Sequence, residues 1–308
     1  LQFTNTEKER ERRMKKYRLY PWVYIVPAII LIGGIVLFPI LYTGYISLTN
    51  MNLYHWFDFH LIGLGNYQRA LFKFDSGFLT AFLTTIVWTV FNMVTQVVIA
   101  YFIALGLNAP GLKLARLYKT LLMFPWAMPS YVSILLWRVG MFNTEFGLLN
   151  KIFVSVGLPK VNFLSENIPA FLSCSALNLW MALPFMIMMI DGALQSVDHT
   201  YYECARLEGA SFLQRNKYIT IPSIKYILAP AIIMTTFTTF KQFDIIYLLT
   251  MQKGSLSGAS LQTIITYAYQ NAFVSNNYGL SSAISIIIFV MIIIFTLAMN
   301  KSLKEEKA

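Results

Sequence analysis

Charge is scarce in this sequence. Only 12% of its 308 residues are charged, while 57% are hydrophobic. Soluble domains run near a quarter charged, so a soluble globule is excluded: too few polar side chains exist to cover its surface. Cysteine and histidine are scarcer still. Cys174 and Cys204 form no CxxC, and His55, His60 and His199 form no HExxH or HxxxH pair. Metal and redox chemistry are therefore not expected, and both cysteines read as buried free thiols. No G-x-x-x-x-G-K-[ST] loop occurs, so the chain does not hydrolyse ATP by the usual phosphate-loop route. The net charge is +10, but no basic run is interleaved with aromatics, so nucleic acid is not an expected partner.

What is present is long apolar runs. Crossing roughly 30 Å of hydrocarbon takes about 20 residues. Six segments qualify: 22–48, 80–107, 117–142, 168–190, 226–250 and 280–299. Pro125 and Pro129 break the third, and Pro184 lies inside the fourth. Each proline frees a carbonyl that a neighbouring helix or a wet cavity must satisfy, which implies a polytopic bundle. The first segment reads as a retained helix, because its run is too long for a signal peptide and no A-x-A site follows.

The cations orient the bundle. Seventeen of the 24 Lys and Arg fall in the N-terminal tail, the 2–3 connection, the 4–5 connection and the C-terminal tail. The alternate loops hold Arg69, Lys73, Lys151, Lys160 and Lys253. Lys and Arg mark the cytoplasmic side, so both termini are expected there. The fold class is an all-α membrane protein of six transmembrane helices with a cytoplasmic loop between helices four and five. A basic tail spans 1–21, the first helix and outer loop 22–79, the core 80–300 and a C-terminal tail 301–308.

That 4–5 loop reads YYECARLEGASFLQRNKYITIP over 201–222. Ser196 or Asp198 caps a short helix over His199–Glu208, in which Glu203 and Arg206 stand at i,i+3 spacing to pair. Gly209 permits a left-handed turn or a close backbone approach. A second short helix follows, and Pro222 suits the start of the next one. From pattern alone, a solvated hairpin on the membrane surface fits equally well.

Glu203-Cys204-Ala205, Gly209-Ala210 and Ile219-Thr220-Ile221-Pro222 resemble the E-A-A-x-x-x-G-A-(x)8-I-x-L-P signature of binding-protein-dependent ABC importer permeases. The stretches GLGNY at 63–67, FPWAMPSYVSILLWRVGMFNTEFGLLN at 124–150, FKQFDIIYLLT at 240–250 and TYAYQNAF at 266–273 are similar to the maltose-type carbohydrate subfamily. Cys204 departs from the usual Ala, and Asn216 from the usual Phe. The resemblance implies a bacterial inner-membrane permease whose 196–222 loop is a coupling helix docked on a cytoplasmic ATPase. Glu203, Ala205, Arg206, Gly209, Ala210 and Pro222 are its implied coupling residues. It also implies a second homologous permease, two ATPase subunits that bind ATP and Mg, an extracytoplasmic solute-binding protein and an oligosaccharide substrate. No cofactor is expected in this chain, and lipid surrounds it.

Ionisable residues inside spans are functional candidates, because burying charge in lipid is costly. Lys241 and Asp244 stand at i,i+3 and could pair with each other. Arg138, late in span three, could snorkel outward. Asn92, Gln96, Asn178, Trp180, Gln242 and Tyr247 could line a polar path or make interhelical contacts. Family members commonly have Asn at the position of Lys241. Lys241 with Arg138 therefore leans toward an acidic, uronate-type oligosaccharide such as alginate, with a neutral maltodextrin close behind. A secondary transporter or channel is the rival reading, but it gives no reason for the signature loop and no internal repeat supports it. An intramembrane enzyme lacks a placed base beside Ser173-Cys174-Ser175.

Overall fold

A computed structural model describes residues 24–72, 77–109, 111–250 and 261–305, the last seven as backbone alone. The basic tail 1–21, Trp22, Lys73, Lys253 and Lys307 lie outside the described residues. The described chain is helical; a single isolated bridge, Thr49 to Leu61, is its one β pairing. Helices over Tyr24–Ser47, Phe78–Leu107, Asn167–Gln195 and Tyr278–Ala298 are long and apolar enough to cross a membrane, as is Phe212–Thr250.

Span three is broken more sharply than expected. Ala115–Ala127 and Ser130–Met141 meet at 90°. Met128 is extended, with ψ 140°, because the ring of Pro129 disfavours helical backbone in the residue before it. Pro39 and Pro222 act more gently. Each follows a single π turn, Gly33–Leu37 and Asn216–Thr220, in which one N–H reaches back five residues. Such a turn absorbs the amide that proline lacks without ending the helix.

Small residues bring the spans together. Ala100 and Ala104 of span two are fully buried, and Ala193 of span four nearly so. They join Met186, Ile190, Ile224 and Leu228 in the cluster at the ends of spans two, four and five nearest the 4–5 loop, labelled the inner ends, with the opposite ends labelled outer. Lipid is as apolar as leucine, so close van der Waals packing holds such helices together, and small side chains permit it. A second cluster lies among Trp88, Ile134, Leu177, Ile245 and Leu249. A third, at the outer end, joins Ala70, Phe78, Ile264, Leu280 and Ile284.

The outer connections contain three helices that the apolar runs did not predict: Gly65–Phe72, Leu148–Ser155 and Ile264–Phe273. The last dips into the bundle. Its Ile264 N–H donates to Thr85 Oγ1 at 2.9 Å, and Thr85 lies seven residues, about 10 Å, below the start of span two. The GLGNY stretch is structural. Asn66 Nδ2 donates to the carbonyls of Ser47 and Thr49, holding the outer end of span one. Gly279 packs where a Cβ would collide with the Thr49 carbonyl and the Asn66 amide. Gly279→Val should therefore cost about 1–3 kcal/mol as overpacking, read as a lower melting midpoint in detergent.

Candidate functional site

The 4–5 loop folds as a two-helix elbow, and each turn of it has a local cause. Its first helix is His199–Leu207. Asp198 is the N-cap: its carboxylate accepts from the Thr200 N–H at 2.9 Å, which holds that carboxyl below the usual carboxylate range. Ser196 instead donates its hydroxyl to the Ala193 carbonyl. Gly209 ends the helix at φ 78°. Its N–H reaches the Arg206 carbonyl at 3.1 Å, and the Ala210 N–H reaches the Ala205 carbonyl at 2.8 Å. That pair of bonds is a Schellman cap, which requires the left-handed residue glycine supplies. A Cβ on Gly209 meets nothing within 4 Å, so inside this chain the glycine serves backbone geometry and not close packing.

Ser211 then opens the second helix with a capping box. Its hydroxyl accepts from the Gln214 N–H, while its own N–H donates to Gln214 Oε1 at 2.7 Å. The S-x-x-Q spacing of Ser211 and Gln214 is the sequence signal of this cap. Helix Phe212–Arg215 runs through the π turn into Ile221–Phe240 without a gap. Pro222 thus sits inside a continuous rod and does not separate a loop from span five.

The elbow is bonded to the bundle. Tyr202 Oη donates to Thr220 Oγ1 at 3.0 Å, joining its two arms. Tyr101 Oη of span two donates to Asn216 Oδ1 at 2.7 Å. Where the resemblance implies an apolar Phe, Asn216 makes this polar anchor. Nearby, Asp191 is 3% exposed and accepts from Lys119 Nζ at 2.7 Å, Asn108 Nδ2 at 2.8 Å and Gln195 Nε2 at 2.9 Å. This cluster clamps the inner ends of spans two, three and four. Asp191 stands one residue past the fourth apolar run, and Lys119 stands at the start of the third among the cations of the 2–3 connection, so neither reads from the sequence as a charge buried in a span.

The outward side of the elbow is unpartnered among the described residues. Leu207 is 90% exposed and Leu213 76%. Glu203 and Arg206 do not close the expected ion pair; among the described residues the ion pairs are Lys119–Asp191 and Lys160–Glu145. Cys204 is exposed, contrary to the buried-thiol expectation, whereas Cys174 is buried. Ala205 is buried and Ala210 half-buried.

The candidate path residues separate into two groups. Asn92, Gln96 and Asn178 are buried and tie span two to span four. Asn178 Nδ2 donates to Asn92 Oδ1 at 3.0 Å, and Gln96 Nε2 to the Ala182 carbonyl at 2.9 Å. Gln96 Oε1 is buried without a partner. Trp180 packs on Trp137 with ring centroids 5.5 Å apart. Arg138 does not snorkel: it donates to the Leu248 carbonyl at 2.8 Å, satisfying the last turn of helix Asp244–Thr250.

The second group lies where span five breaks at 241–243. Lys241 and Asp244 are both exposed and do not pair. Lys241 caps the C-terminal end of Ile221–Phe240, and Asp244 starts the next helix. Each charge therefore faces the helix end whose dipole favours it. Gln242 and Tyr247 are half-buried beside them. Four rings form a continuous wall here. Centroids are 4.8 Å apart for Phe243–Tyr247, 4.9 Å for Phe243–Tyr269, 4.8 Å for Tyr247–Tyr269 and 4.8 Å for Tyr269–Phe273. Tyr269 and Phe273 come from the dipping outer helix, a source the sequence reading did not identify. Among the described residues no cluster of three or more His, Cys, Asp or Glu is placed to hold a metal ion.

Comparison with known proteins places the chain in a family. Residues 96–303 match the model of the binding-protein-dependent transport system inner membrane component. The chain is 31% identical to the galactooligosaccharides transport system permease protein GanP of Bacillus subtilis, over 93% of this chain and 71% of that one. It is 31% identical to the trehalose/maltose transport system permease protein MalF of Thermococcus litoralis, over 91% and 92%. In structure it resembles a chain from a bacterial ABC transporter involved in the import of the acidic polysaccharide alginate. The TM-score is 0.80 and the overlap covers 96% of this chain and 99% of that one, at 19% identity, which shows a shared fold only. With its apolar spans and its signature-bearing elbow, the chain is a multi-pass membrane protein that belongs to the family of binding-protein-dependent transport system inner membrane components.

Proposed function

We propose that this chain forms half of the pathway of an ATP-driven oligosaccharide importer and couples to a cytoplasmic ATPase through the elbow at 196–222. One observation supports this most: a rigidly capped, water-compatible elbow, bonded to span two, following span four and continuous with span five, presents Leu207, Leu213 and Glu203 to no partner among the described residues. The chain has no phosphate loop, so the energy comes from another subunit. A rigid-body stroke on the elbow would move three spans together. A second permease, two ATPase chains and a solute-binding protein complete the assembly, with both termini of this chain in the cytoplasm.

Cys204 supplies the test, because it is the exposed native thiol on the elbow. A short thiol-reactive crosslinker is expected to join Cys204 to a co-purifying ATPase chain. Purification with no ATPase chain, or crosslinks only to extracytoplasmic protein, would return the chain to the channel or secondary-transporter reading.

The break in span five is the proposed ligand-facing site. The wall of Phe243, Tyr247, Tyr269 and Phe273 offers flat apolar faces, and Gln242 offers hydrogen bonds, as a sugar ring needs. A neutral oligosaccharide is the first reading, supported by the sugars named for GanP and MalF. Lys241 favours a second, acidic reading; Arg138 no longer supports it, since its guanidinium is engaged by Leu248. ATPase stimulation by neutral and uronate oligosaccharides separates the two. Under the acidic reading Lys241→Ala lowers uronate uptake by about tenfold or more, the effect of losing a hydrogen bond to a charged group. Unchanged uronate uptake in that variant removes Lys241 from the site.

A further inference from the structure

The side of the elbow turned toward the bundle holds a second site, which shares Arg206 with the implied coupling residues and adds Arg215. A cavity of about 380 Å³ opens between the inner ends of spans two and four and the two elbow helices. His199, Arg206 and Arg215 line it, and among the described residues no carboxylate does. The carboxylate of Asp191, behind this wall, is already engaged by Lys119, Asn108 and Gln195. Neither guanidinium makes an ion pair or side-chain hydrogen bond among the described residues, and Arg215 Nε is buried with no partner. Burying a guanidinium N–H unpaired is costly, so an acceptor is expected from outside the chain. The amides of Asn108, Gln195 and Asn216 that share the lining are bonded elsewhere in the chain. The other part of the wall is apolar, formed by Leu105, Leu194 and Phe212.

We propose that this cavity binds the phosphate of an anionic phospholipid from the cytoplasmic leaflet, held between Arg206 and Arg215 with its glycerol and upper acyl carbons against Leu105, Leu194 and Phe212. Arginine forks match phosphate oxygens bidentately. Basic pockets between transmembrane helices on the cytoplasmic side are suited to anionic headgroups. The apolar half of the wall distinguishes a lipid from a small soluble phosphate. A lipid here bridges spans two and four to both arms of the elbow, so it stiffens the joint that transmits the stroke. The choice of leaflet rests on the topology proposed above. Labelling of a cysteine placed at Lys113, in the 2–3 connection, tests that topology independently.

The test uses the assembly purified with its partner chains. It is placed in nanodiscs of phosphatidylcholine, with or without phosphatidylglycerol, and retained lipid is counted by native mass spectrometry. Wild type is expected to retain phosphatidylglycerol in preference to phosphatidylcholine. Arg215→Gln should weaken that retention about fivefold, the effect of one basic side chain near an anionic leaflet. Lys217→Gln, an exposed cation outside the cavity, should not. Equal loss in both variants means diffuse surface attraction and overturns the site. So does the absence of a preference in wild type, a measurement that needs no variant to fold. Binding of inorganic phosphate in phosphatidylcholine discs that displaces all phosphatidylglycerol overturns the lipid assignment. Crosslinking of Arg215→Cys to an ATPase chain would show that a partner's side chain fills the cavity, and would overturn it as well.

Discussion

Gly209→Pro is expected to leave the chain inserted in the membrane while transport falls to background and ATP hydrolysis loses its response to substrate. Gly209 stands at φ 78°, and its N–H closes one of the two bonds of the Schellman cap. Proline fixes φ near −65° and has no N–H, so the cap is lost and the chain must leave the elbow in another direction. The inner packing of spans two, four and five does not include residue 209, so insertion should survive. Gly209→Ala is the control. Its Cβ has free space, so it meets only the backbone strain of a left-handed residue, about 1–2 kcal/mol. It should keep partial coupling. Glu203→Lys is the complementary variant: Glu203 is exposed and makes no ion pair among the described residues, so reversal should act on the partner contact. Reconstitution in liposomes with the partner chains, measuring uptake and substrate-stimulated hydrolysis together, decides the matter. Normal stimulation in Gly209→Pro would sink the coupling assignment.

The largest loss of stability is expected at Asp191→Ala. Its carboxylate takes donors from Asn108, Lys119 and Gln195, which come from three places in the chain, and it is 3% exposed. Removing it leaves the Lys119 ammonium, 23% exposed, without its counter-ion. Breaking a buried pair on one side costs about 3–5 kcal/mol; the partial exposure of Lys119 places this variant at about 3 kcal/mol. Removing both charges, as in Asp191→Leu with Lys119→Met, should recover much of that loss, because no unpaired charge remains. Thermal unfolding of the detergent-solubilised assembly measures both. A double variant no more stable than the single one would mean that the hydrogen bonds to Asn108 and Gln195, and not the charge, hold the spans.

Legibility in the sequence followed the range of the interaction. Five of the six spans could be placed within a few residues, because twenty apolar side chains in a row admit few other fates in water or lipid. Asp198 and Gly209 were readable because a cap acts on its own next turn. Arg138 was not. Its acceptor, Leu248, is 110 residues away, and no local pattern announces a guanidinium satisfying a distant helix end. Lys241 and Asp244 misled for a related reason. Their i,i+3 spacing implies a pair only on a continuous helix, and the helix stops between them.

The amino-acid sequence by itself determined that this is a membrane bundle, which segments cross, and that the signature loop caps as a helix, a glycine turn and a second helix. Those features depend on transfer energy and on bonds within a turn or two. Only the tertiary structure decided that Asn92 and Asn178 bond to each other, that Asp191 clamps three spans, that the outer helix Ile264–Phe273 dips in to complete an aromatic wall, and that Arg206 and Arg215 line one cavity behind the elbow. Each of these joins residues far apart in the chain. Their meeting is set by how the helices pack, and in lipid packing is chosen by shape and paired polar groups, with little help from hydrophobicity.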